Sequence, residues 1–445
     1  MKGCIDQAKS YKPMSHWYLA YTFVGSAAFF ASLPFLLAYS RLTGRFTRGW
    51  KERLGFLPKT LSGLDAPIWL HSSSLGEFRV ADAIISHLRR LAPENCIILS
   101  VNTDYAFEAA RAMARKTPVV YAPFDFLFSV RKALSIAAPS VMVFVETEIW
   151  PAWIVEARRK GIRCALINGR ISARSIARYR KFAPFFRDVL KNVDVFSMIS
   201  EEDKSRILTM GADPARVEVQ GNAKHDLLVR QADPCIIPEM RRILNLDSSD
   251  IVFVAGSTRE GEEEKVLAVY LRLQEKFPGI ILVIAPRHIA RTPRIESLVK
   301  QRGLSYQLRS RLKVSGEKRT APVLILDTFG ELFKVYSVGT INFCGASLVP
   351  MGGQNPMESA AWGKAVFYGP FMDDFLDAKT LLEKVGGGIP VKDTADFSEK
   401  ATALLNQREW LSLIGDKAKQ AVLVNLGAAE RHAQVIARLL KKNVI

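Results

Sequence analysis

The chain lacks the cysteine and histidine spacings that are typical of small disulfide-bonded folds and metal hydrolases. Its five cysteines lie far apart without a CxxC pair, and its six histidines contain no HExxH pair. Neither GxGxxG nor GxxxxGK[ST] occurs, which disfavours dinucleotide-binding and P-loop proteins. With 49% hydrophobic and 24% charged residues, the composition excludes a disordered chain. The sequence therefore predicts a globular protein with reduced cysteines and no metal site.

Acidic residues are few compared with basic ones. Lys and Arg number 62 against 44 Asp and Glu, which gives a formal net charge of +18. Such a surplus indicates an anionic partner, which can be nucleic acid, an acidic membrane face or a phosphorylated substrate. The length of 445 residues exceeds one ordinary core, so we expect two domains of roughly 200 residues each.

Charged residues are also absent between Trp17 and Ser40. This run is long enough to cross a bilayer with some tilt, and Trp17, Tyr18 and Tyr39 at its ends favour the headgroup region. We predict a tail at 1–16 and a single anchor helix at 17–40, either interfacial or spanning. Basic residues are more numerous after the run, which places the rest of the chain in the cytoplasm. A cleaved signal peptide and a buried core helix are the alternatives.

After residue 40, short apolar runs rich in β-branched residues alternate with helical patterns. The predicted strands are 68–71, 97–101, 119–121, 141–145, 165–167, 195–198, 251–255, 280–285, 323–326, 340–344 and 366–368. Continuous apolar strands joined by helices imply parallel sheets covered on both faces. The predicted fold class is therefore α/β, with two doubly wound domains. We place them at 41–235 and 236–427, followed at 428–445 by an amphipathic helix that can pack back on the first domain.

A carboxylate lies in the loop that follows the first predicted strand. The strand ends at His71 and continues as Ser-Ser-Ser-Leu-Gly-Glu into an amphipathic helix. Ser74 fits a helix N-cap, and Glu77 lies three residues later, as a capping box requires. Alternatively, Glu77 is a general base that accepts a proton from an attacking hydroxyl.

Two more carboxylates, Glu146 and Glu148, follow the apolar strand VMVFV directly. Paired acids at a strand end are costly unless they bind a cation or take part in chemistry. The helix that begins at Pro151 explains one acid as a cap but not both. We therefore treat both as candidate functional residues.

A basic run follows the next strand and contains no acid between Arg170 and Arg187. A run of this kind is usually a solvated face. Here the missing acids favour a surface for phosphate or anionic lipid. The candidate surface residues are Arg170, Arg174 and Arg178.

Loops in the back half combine glycines, cations and acids after predicted strands. Arg287 and His288 are two donors that suit a phosphate or a base carbonyl. Two glycines precede Asn355 and Pro356 at the start of a helix, where free N–H groups and the helix dipole favour an anion. A carboxylate such as Glu358 commonly holds ribose hydroxyls at such sites. These features predict a nucleotide-phosphate site.

Eight short motifs occur in one order: SLGE, ETEIWP, NGRIS, GNAKHD, STREGEE, PRH, DTFGEL and GGQNPMES. Together, over about residues 53–375, they resemble the 3-deoxy-D-manno-octulosonic acid (Kdo) transferases of lipopolysaccharide biosynthesis. The resemblance implies a GT-B glycosyltransferase with two Rossmann-like domains facing a cleft, an inverting reaction, and no catalytic metal or other cofactor. It also implies CMP-Kdo as donor, lipid IVA as acceptor, and a place on the cytoplasmic side of the inner membrane among anionic lipids.

The same resemblance implies roles for individual residues. Glu77 matches the base that deprotonates the acceptor hydroxyl, while Glu146 or Glu148 and Lys224 match positions that steady the transition state. The matched CMP-binding positions are Arg287, His288, Phe329, Gly330, Glu331, Asn355, Pro356, Met357 and Glu358. Lys224 also suits the donor chemically, because Kdo carries a carboxylate beside its anomeric carbon.

The chain departs from the family pattern at Gln354 and Arg259, where the family usually has histidine. The nearest alternative function is a GT-B transferase that uses a UDP-sugar and another lipid acceptor. A nucleic-acid-binding protein is suggested by charge alone, and it would need basic and aromatic residues interleaved on one face. A Rossmann oxidoreductase is disfavoured by the missing glycine motif. No residue in the sequence indicates how many Kdo units are added.

Overall fold

The computed structural model describes residues 16–43, 48–113 and 117–441, so most of the predicted tail lies outside the described residues. Its helices are α1 (His16–Thr43), α2 (Trp50–Arg53), α3 (Leu75–Leu91), α4 (Asp104–Met113), α5 (Leu127–Ala137), α6 (Pro151–Arg159), α7 (Ala173–Lys181), α8 (Ala183–Leu190), α9 (Glu201–Thr209), α10 (Ala223–Gln231), α11 (Ile236–Ile243), α12 (Glu263–Lys276), α13 (Thr292–Gln301), α14 (Arg309–Ser315), α15 (Leu332–Tyr336), α16 (Met357–Ala360), α17 (Leu376–Val385), α18 (Thr394–Asn406), α19 (Arg408–Leu423) and α20 (Ala428–Lys441). Its strands are β1 (Ile68–His71), β2 (Ile97–Val101), β3 (Val119–Tyr121), β4 (Val141–Val145), β5 (Arg163–Gly169), β6 (Val195–Met198), β7 (Val217–Val219), β8 (Val252–Thr258), β9 (Ile281–Pro286), β10 (Tyr306–Leu308), β11 (Val323–Ile325), β12 (Ile341–Cys344), β13 (Val366–Tyr368) and β14 (Gly388–Pro390).

Contacts divide the chain into two compact units. Unit 1 comprises Met1–Ala223 and Gly427–Ile445, and unit 2 comprises Lys224–Leu426. The division follows Ala223 rather than residue 235, where the sequence placed it. Apolar residues of α10 and α11, among them Leu228 and Met240, pack into the cores of unit 2. These two helices therefore belong to the second unit.

Unit 1 contains a seven-stranded parallel sheet in the order β3-β2-β1-β4-β5-β6-β7. Alternate residues of its strands enter two separate apolar clusters, for example Trp69 in one and Ile68 in the other. Both faces of the sheet are therefore covered, which explains the continuously apolar strands. The chain order reverses between β1 and β4, so the loops after these two strands lie at the topological switch point where ligands bind in such sheets.

The C-terminal helix α20 completes the core of unit 1. It packs against α3, and its buried side chains join the same apolar cluster as those of α3. His432 is buried, with Nδ1 2.8 Å from Ser197 Oγ and Nε2 3.0 Å from the Gly221 carbonyl oxygen. Burial lowers the pKa of His432 to about 4, so this histidine is a neutral packing residue at physiological pH.

Unit 2 contains a second seven-stranded parallel sheet, in the order β10-β11-β9-β8-β12-β13-β14. Its switch point lies between β8 and β12. The loops after these strands approach each other closely at Gly345, where a Cβ atom would lie 2.5 Å from the Ser257 carbonyl oxygen. Any larger residue at position 345 would push the two loops apart.

Helix α1 matches the apolar run at the amino terminus. Its segment His16–Phe35 has a mean hydropathy of 1.3, and by length and composition it can cross a membrane. This finding fits an anchor or a signal sequence. Tyr18 is nevertheless buried against unit 1, and Tyr21 makes a ring contact with Phe185 on α8.

Candidate active site

Four of the seven non-glycine residues with positive φ in the described part of the chain lie beside the two switch points. In unit 1, Glu146 (φ 66°) and Asn168 (φ 52°) lie at the ends of the adjacent strands β4 and β5. In unit 2, Ser257 (φ 56°) and Ala346 (φ 59°) lie at the ends of the adjacent strands β8 and β12. Each left-handed non-glycine residue costs about 1–3 kcal/mol and persists where the surroundings enforce it. Such residues cluster at functional sites, and here they surround the predicted loops.

Glu77 lies in the first turn of α3 and caps that helix. Its Oε2 accepts the Ser73 backbone N–H at 2.6 Å, and its Oε1 accepts the Ser74 hydroxyl at 3.1 Å. Ser74 Oγ accepts the Glu77 backbone N–H in return, so the predicted capping box is confirmed. The carboxylate is half-buried, and the cap holds it in one position at the carboxyl end of β1.

The electrostatic environment of Glu77 favours its protonated form. Burial raises the pKa of Glu77 above its ordinary value, and the negative charges of Glu146 and Glu148 raise it further. The hydrogen bonds from Ser73 and Ser74 lower the pKa, but by less. The three predicted carboxylates therefore interact with one another across the loops after β1 and β4. A carboxylate with a raised pKa is better matched to proton transfer near neutral pH than an ordinary glutamate.

Glu148 is held by a buried histidine and a tryptophan. His71 Nε2 lies 3.4 Å from Glu148 Oε2, and Trp150 Nε1 donates to the same oxygen at 2.5 Å. Burial alone would raise the pKa of Glu148, but the bonds from His71, Ser73 and Trp150 outweigh it and the pKa is lowered. Glu148 therefore remains ionised, which suits electrostatic stabilisation of positive charge rather than proton uptake.

The other side of the His71 ring is also held. Trp69 Nε1 donates to Ser100 Oγ at 2.9 Å, and this oxygen lies 3.0 Å from His71 Nδ1. With Nδ1 against Ser100, the ring is oriented so that Nε2 faces Glu148. This chain of contacts makes His71 a positioning residue for Glu148.

Further bonds immobilise both loops. Asn102 Nδ2 donates to Ser73 Oγ at 2.6 Å, and Arg53 donates to the Asn102 carbonyl oxygen at 2.6 Å. In the second loop, Thr147 Oγ1 donates to the Arg170 carbonyl oxygen at 2.8 Å. The loop after β5, where the predicted basic surface begins at Arg170, is therefore hydrogen-bonded to the loop after β4 that carries Glu146 and Glu148.

The predicted basic surface is partly described. Arg170 is half-buried, while Arg178 is exposed on α7 and makes no ion pair with any residue that the structure describes. The side chain of Arg174 lies outside the described part. An exposed, unpaired cation such as Arg178 is available to an anion.

Replacing Glu148 with glutamine is expected to move the acidic limb of the pH–activity profile to lower pH. The substitution removes one of the negative charges that raise the pKa of Glu77, so Glu77 ionises at lower pH. The measurement is kcat/KM against pH, normalised for each variant. Glu202→Gln, an exposed change on α9, is the matched control. An unmoved limb in Glu148→Gln would show that Glu77 is not the group that titrates.

In unit 2, three basic side chains lie at the ends of β8 and β9. The NH1 atom of Arg259 lies 2.8 Å from the Nε2 atom of His288. Arg287 and His288 are exposed, and the Arg287 backbone N–H donates to the Thr258 carbonyl oxygen. A guanidinium has no acceptor atom, so Arg259 can only be the donor in this contact. This group can bind an anion, and Arg259 was not among the predicted site residues.

Glu262 anchors the loop that follows β12. Its side chain is fully buried. Its carboxylate accepts hydrogen bonds from the backbone N–H groups of Ala346 (2.6 Å), Ser347 (3.0 Å) and Leu348 (2.9 Å). It also accepts one from the backbone N–H of Arg259 at 3.2 Å. Burial raises the pKa of Glu262, and the four hydrogen bonds, which lower it, offset only part of that rise. One carboxylate thus joins the two loops beside the switch point of unit 2.

The predicted anion-binding site at the helix start around Asn355 has only a short helix behind it. The helix that follows, α16, has four residues, so it supplies little of the dipole that the sequence suggested. Asn355 Oδ1 accepts the Met357 backbone N–H at 3.1 Å. The side chains of Pro356 and Met357 are buried, while Asn355 and Glu358 are half-buried. Any ligand here would therefore contact Asn355 and Glu358 rather than Pro356 or Met357.

The loop after β11 presents an exposed aromatic ring. Phe329 is 84% exposed, and it precedes Gly330, whose φ is 81°. Glu331 is bound within its own unit, because Arg309 donates to its Oε1 at 3.0 Å and Thr328 donates to its Oε2. In this loop Phe329 is therefore the side chain that is open to a ligand.

Lys224 lies in the first turn of α10 and is half-buried within unit 2. Of the predicted residues, the structure groups Glu77, Glu146 and Glu148 in unit 1, and Arg287 with His288 in unit 2. Among the described residues, no three His, Cys, Asp or Glu side chains form a group that could hold a metal ion.

His71, Arg259 and Glu262 were not predicted as site residues. His71 ends a strand directly before the Glu77 loop, and Arg259 and Glu262 follow β8 within the STREGEE motif. Position at a strand end was the available signal for all three. Glu262 was hidden within an acidic run that is typical of an exposed helix start.

Comparison with known proteins identifies the family. The sequence model described as "3-Deoxy-D-manno-octulosonic-acid transferase (kdotransferase)" matches residues 48–227. A 3-deoxy-D-manno-octulosonic acid transferase of Rickettsia felis is 30% identical over 397 residues, which covers 86% of this chain and 82% of that protein. The chain belongs to the Kdo transferase family. It is thus a glycosyltransferase of this family, as the eight motifs predicted.

The chain is also similar in sequence to a two-function enzyme and in fold to a solved epimerase structure. A bifunctional glycosyltransferase/methyltransferase of Fusobacterium nucleatum is 34% identical over 345 residues, 77% of this chain and 53% of that protein, so the chain spans about half of that relative. The structure of a UDP-GlcNAc 2-epimerase from Neisseria meningitidis is 15% identical, with a TM-score of 0.59 over 84% of this chain and 99% of that one. This second likeness concerns the fold alone. With the two parallel sheets, it confirms the predicted GT-B class.

Proposed function

We propose that this Kdo transferase moves Kdo from CMP-Kdo to a hydroxyl of lipid IVA, with inversion at the anomeric carbon and without a catalytic metal. The observation that carries the proposal is the group of Glu77, Glu146 and Glu148 at the switch point of unit 1. A carboxylate with a raised pKa, held in place by a helix cap, is suited to remove a proton from an alcohol.

In the proposed reaction, Glu77 accepts the proton of the acceptor hydroxyl as its oxygen attacks the anomeric carbon. The bond from that carbon to the CMP phosphate oxygen breaks, and its electron pair leaves with CMP. The transition state resembles an oxocarbenium ion and carries positive charge. Glu148, which remains ionised because its hydrogen bonds lower its pKa, offsets that charge, as Glu146 does.

Unit 2 binds the donor in this proposal. Arg287, His288 and Arg259 offset the negative charge that collects on the departing phosphate. Lys224 holds the carboxylate of Kdo, which lies beside the reacting carbon. Asn355 and Glu358 contact the nucleoside, and Phe329 offers an exposed ring for stacking.

The acceptor is a phosphorylated, acylated disaccharide, and the basic surface of unit 1 suits it. Arg170, Arg174 and Arg178 belong to that surface, which joins the carboxylate loop through the Thr147–Arg170 bond. Helix α1 keeps the enzyme at the inner membrane, with both units on the cytoplasmic side. Attraction to an acidic membrane weakens as salt is raised.

Mass spectrometry of the product tests the proposal. Purified full-length protein is incubated with CMP-Kdo and lipid IVA, and we expect lipid IVA heavier by one or more Kdo units together with released CMP. The spectrum also counts the units added. A product formed from a UDP-sugar but not from CMP-Kdo would support the alternative transferase and overturn the proposal.

Replacing Arg287 with alanine is expected to weaken CMP binding by roughly 10–100-fold, since hydrogen bonds to charged groups contribute about 1.5–3 kcal/mol each. Isothermal titration with CMP measures the change, and titration with UDP should give weaker binding in the unsubstituted protein. Arg272→Ala, at an exposed position on α12, is the matched control. Equal CMP affinity in the two variants would exclude Arg287 from the donor site.

A further inference from the structure

Helix α1 is attached to unit 1 along one face. Tyr18 donates a hydrogen bond to Glu156 at 3.2 Å, and Tyr21 donates one to Asp125 at 2.5 Å. Further along, Phe29 stacks on Phe126 with ring centroids 4.6 Å apart. Residues 18, 21 and 29 share one side of a helix. A helix that crossed a bilayer alone would have to give up all three contacts.

The other side of α1 is apolar and exposed. Its exposed residues include Trp17, Phe23, Val24, Phe30, Phe35 and Leu42. No acidic residue lies on the helix. A continuous exposed apolar face of this kind marks a membrane or protein contact.

Exposed basic residues also lie on unit 1, on the helix that precedes α8. Helix α8 packs against α1, and α7, which precedes α8, carries Arg178, Arg180 and Lys181. These three side chains are exposed and form no ion pair with any residue in the described ranges. An exposed apolar helix face and exposed cations on the same unit are each complementary to a membrane that contains anionic lipids.

A cavity of about 630 Å³ opens between α1 and α5. Phe30, Phe126 and Phe128 form its apolar walls, and Ser26 and Ser135 lie on its two sides. The cavity is open to solvent, and although serines and basic side chains also line it, apolar atoms form most of its surface. It therefore suits a hydrocarbon chain rather than a sugar or a nucleotide.

One cation lies at this cavity without a carboxylate partner. Lys132 Nζ lies 4.1 Å from the ring centroid of Phe56 and 5.8 Å from that of Phe128, and no described carboxylate is within ion-pair distance. The neighbouring Arg131 differs, because Glu156 accepts from its Nε at 2.7 Å. Lys132 is thus the group that is available to a phosphate.

We propose that this cavity binds one acyl chain of an anionic phospholipid, with the headgroup phosphate at Lys132. Helix α1 then lies in the membrane interface beside unit 1, with its apolar side among the acyl chains, instead of spanning the bilayer. The site is independent of the transfer reaction, so the proposal holds or fails separately from the proposed function.

Photo-crosslinking with full-length protein tests this site. The probe is phosphatidylglycerol with a photoreactive group on one acyl chain, in phosphatidylcholine vesicles, and phosphatidylcholine with the same group is the comparison. We expect crosslinks from the phosphatidylglycerol probe to concentrate in peptides that contain residues 26–30 and 126–135. Ser26→Trp and Ser135→Trp each fill the cavity from a different side, and each should reduce this yield to the phosphatidylcholine level. Lys132→Gln should reduce it about fivefold.

Matched variants control for general effects on the protein. Ser205→Trp, at an exposed position on α9, and Lys276→Gln, at an exposed position on α12, should leave the yield unchanged. Thermal unfolding of each variant verifies that it is folded. Crosslinks spread evenly along α1, equal labelling by the two lipids, or full yield in both tryptophan variants would each overturn the proposal.

Discussion

Replacing Glu77 with glutamine is expected to lower kcat for Kdo transfer by about 10²–10⁴-fold, the usual contribution of a general base. Glutamine cannot accept the proton of the acceptor hydroxyl. It can still serve as the third residue of a capping box, because its amide oxygen can accept the Ser73 N–H that Glu77 now accepts. The substitution therefore separates proton transfer from helix capping. The measurements are kcat and the thermal unfolding midpoint of the same preparation.

Two further variants complete this experiment. Glu77→Ala removes both functions, so it should lose the same activity and also about 1 kcal/mol of stability. Glu94→Gln, at an exposed position beyond the end of α3, should behave as the unsubstituted protein. Wild-type turnover in Glu77→Gln would mean that Glu77 is a cap and that another residue is the base.

Replacing Glu262 with alanine is expected to destabilise the protein by about 4 kcal/mol or more. The change leaves four N–H groups of the loops after β8 and β12 without their acceptor, and each buried unsatisfied group costs about 1–3 kcal/mol. We also expect weaker CMP binding, because the Arg259 backbone is one of the groups released. Urea unfolding and calorimetric titration with CMP are the measurements.

Glu260→Ala is the matched control for Glu262→Ala. Glu260 lies two residues away, and its side chain is 83% exposed beside Arg291, so its loss should change stability by less than about 1 kcal/mol. Equal urea midpoints for the two variants would contradict the role assigned to Glu262. Glu262→Gln should be nearly as unstable as the alanine variant, because its NH₂ group would face backbone donors.

Sequence patterns predicted the strands of both sheets except those at certain edges. All eleven predicted runs overlap observed strands, since a strand buried on both faces is continuously apolar. The strands that were missed, β7, β10 and β14, each have three residues and lie at sheet edges. Their sequences VEV, YQL and GIP each contain a polar residue, glycine or proline, whereas the three-residue edge strand β3, VVY, is continuously apolar and was predicted.

The position of the site was more predictable than its contacts. Glu77, Glu146 and Glu148 were identified because polar residues directly after apolar strands are conspicuous. The contact between His71 and Glu148 joins residues that are far apart in sequence: His71 ends β1, and Glu148 lies in the loop after the adjacent strand β4. Strand order, which the sequence did not supply, is what brings them together.

The domain boundary and the helix start near Asn355 that the sequence predicted differ from the structure for another reason. The predicted boundary followed residue 235, yet Leu228 and Val229 of α10, before that point, pack into unit 2. The glycines before Asn355 predicted the start of a helix but not its length, and α16 ends after four residues. In both places, tertiary packing rather than local pattern determines where an element ends.

The packing of α20 against α3 has a consequence for biosynthesis. Residues 428–441 contribute Ala433, Ile436 and other side chains to the same core as Phe78 and Ile84. During translation, all of unit 2 leaves the ribosome before this helix does. Unit 2 can therefore complete its folding first, while the earlier-made unit 1 keeps an uncovered apolar face until residues 428–441 have been made and released. A stop codon shortly before residue 428 would leave that face exposed and the truncated product prone to aggregation.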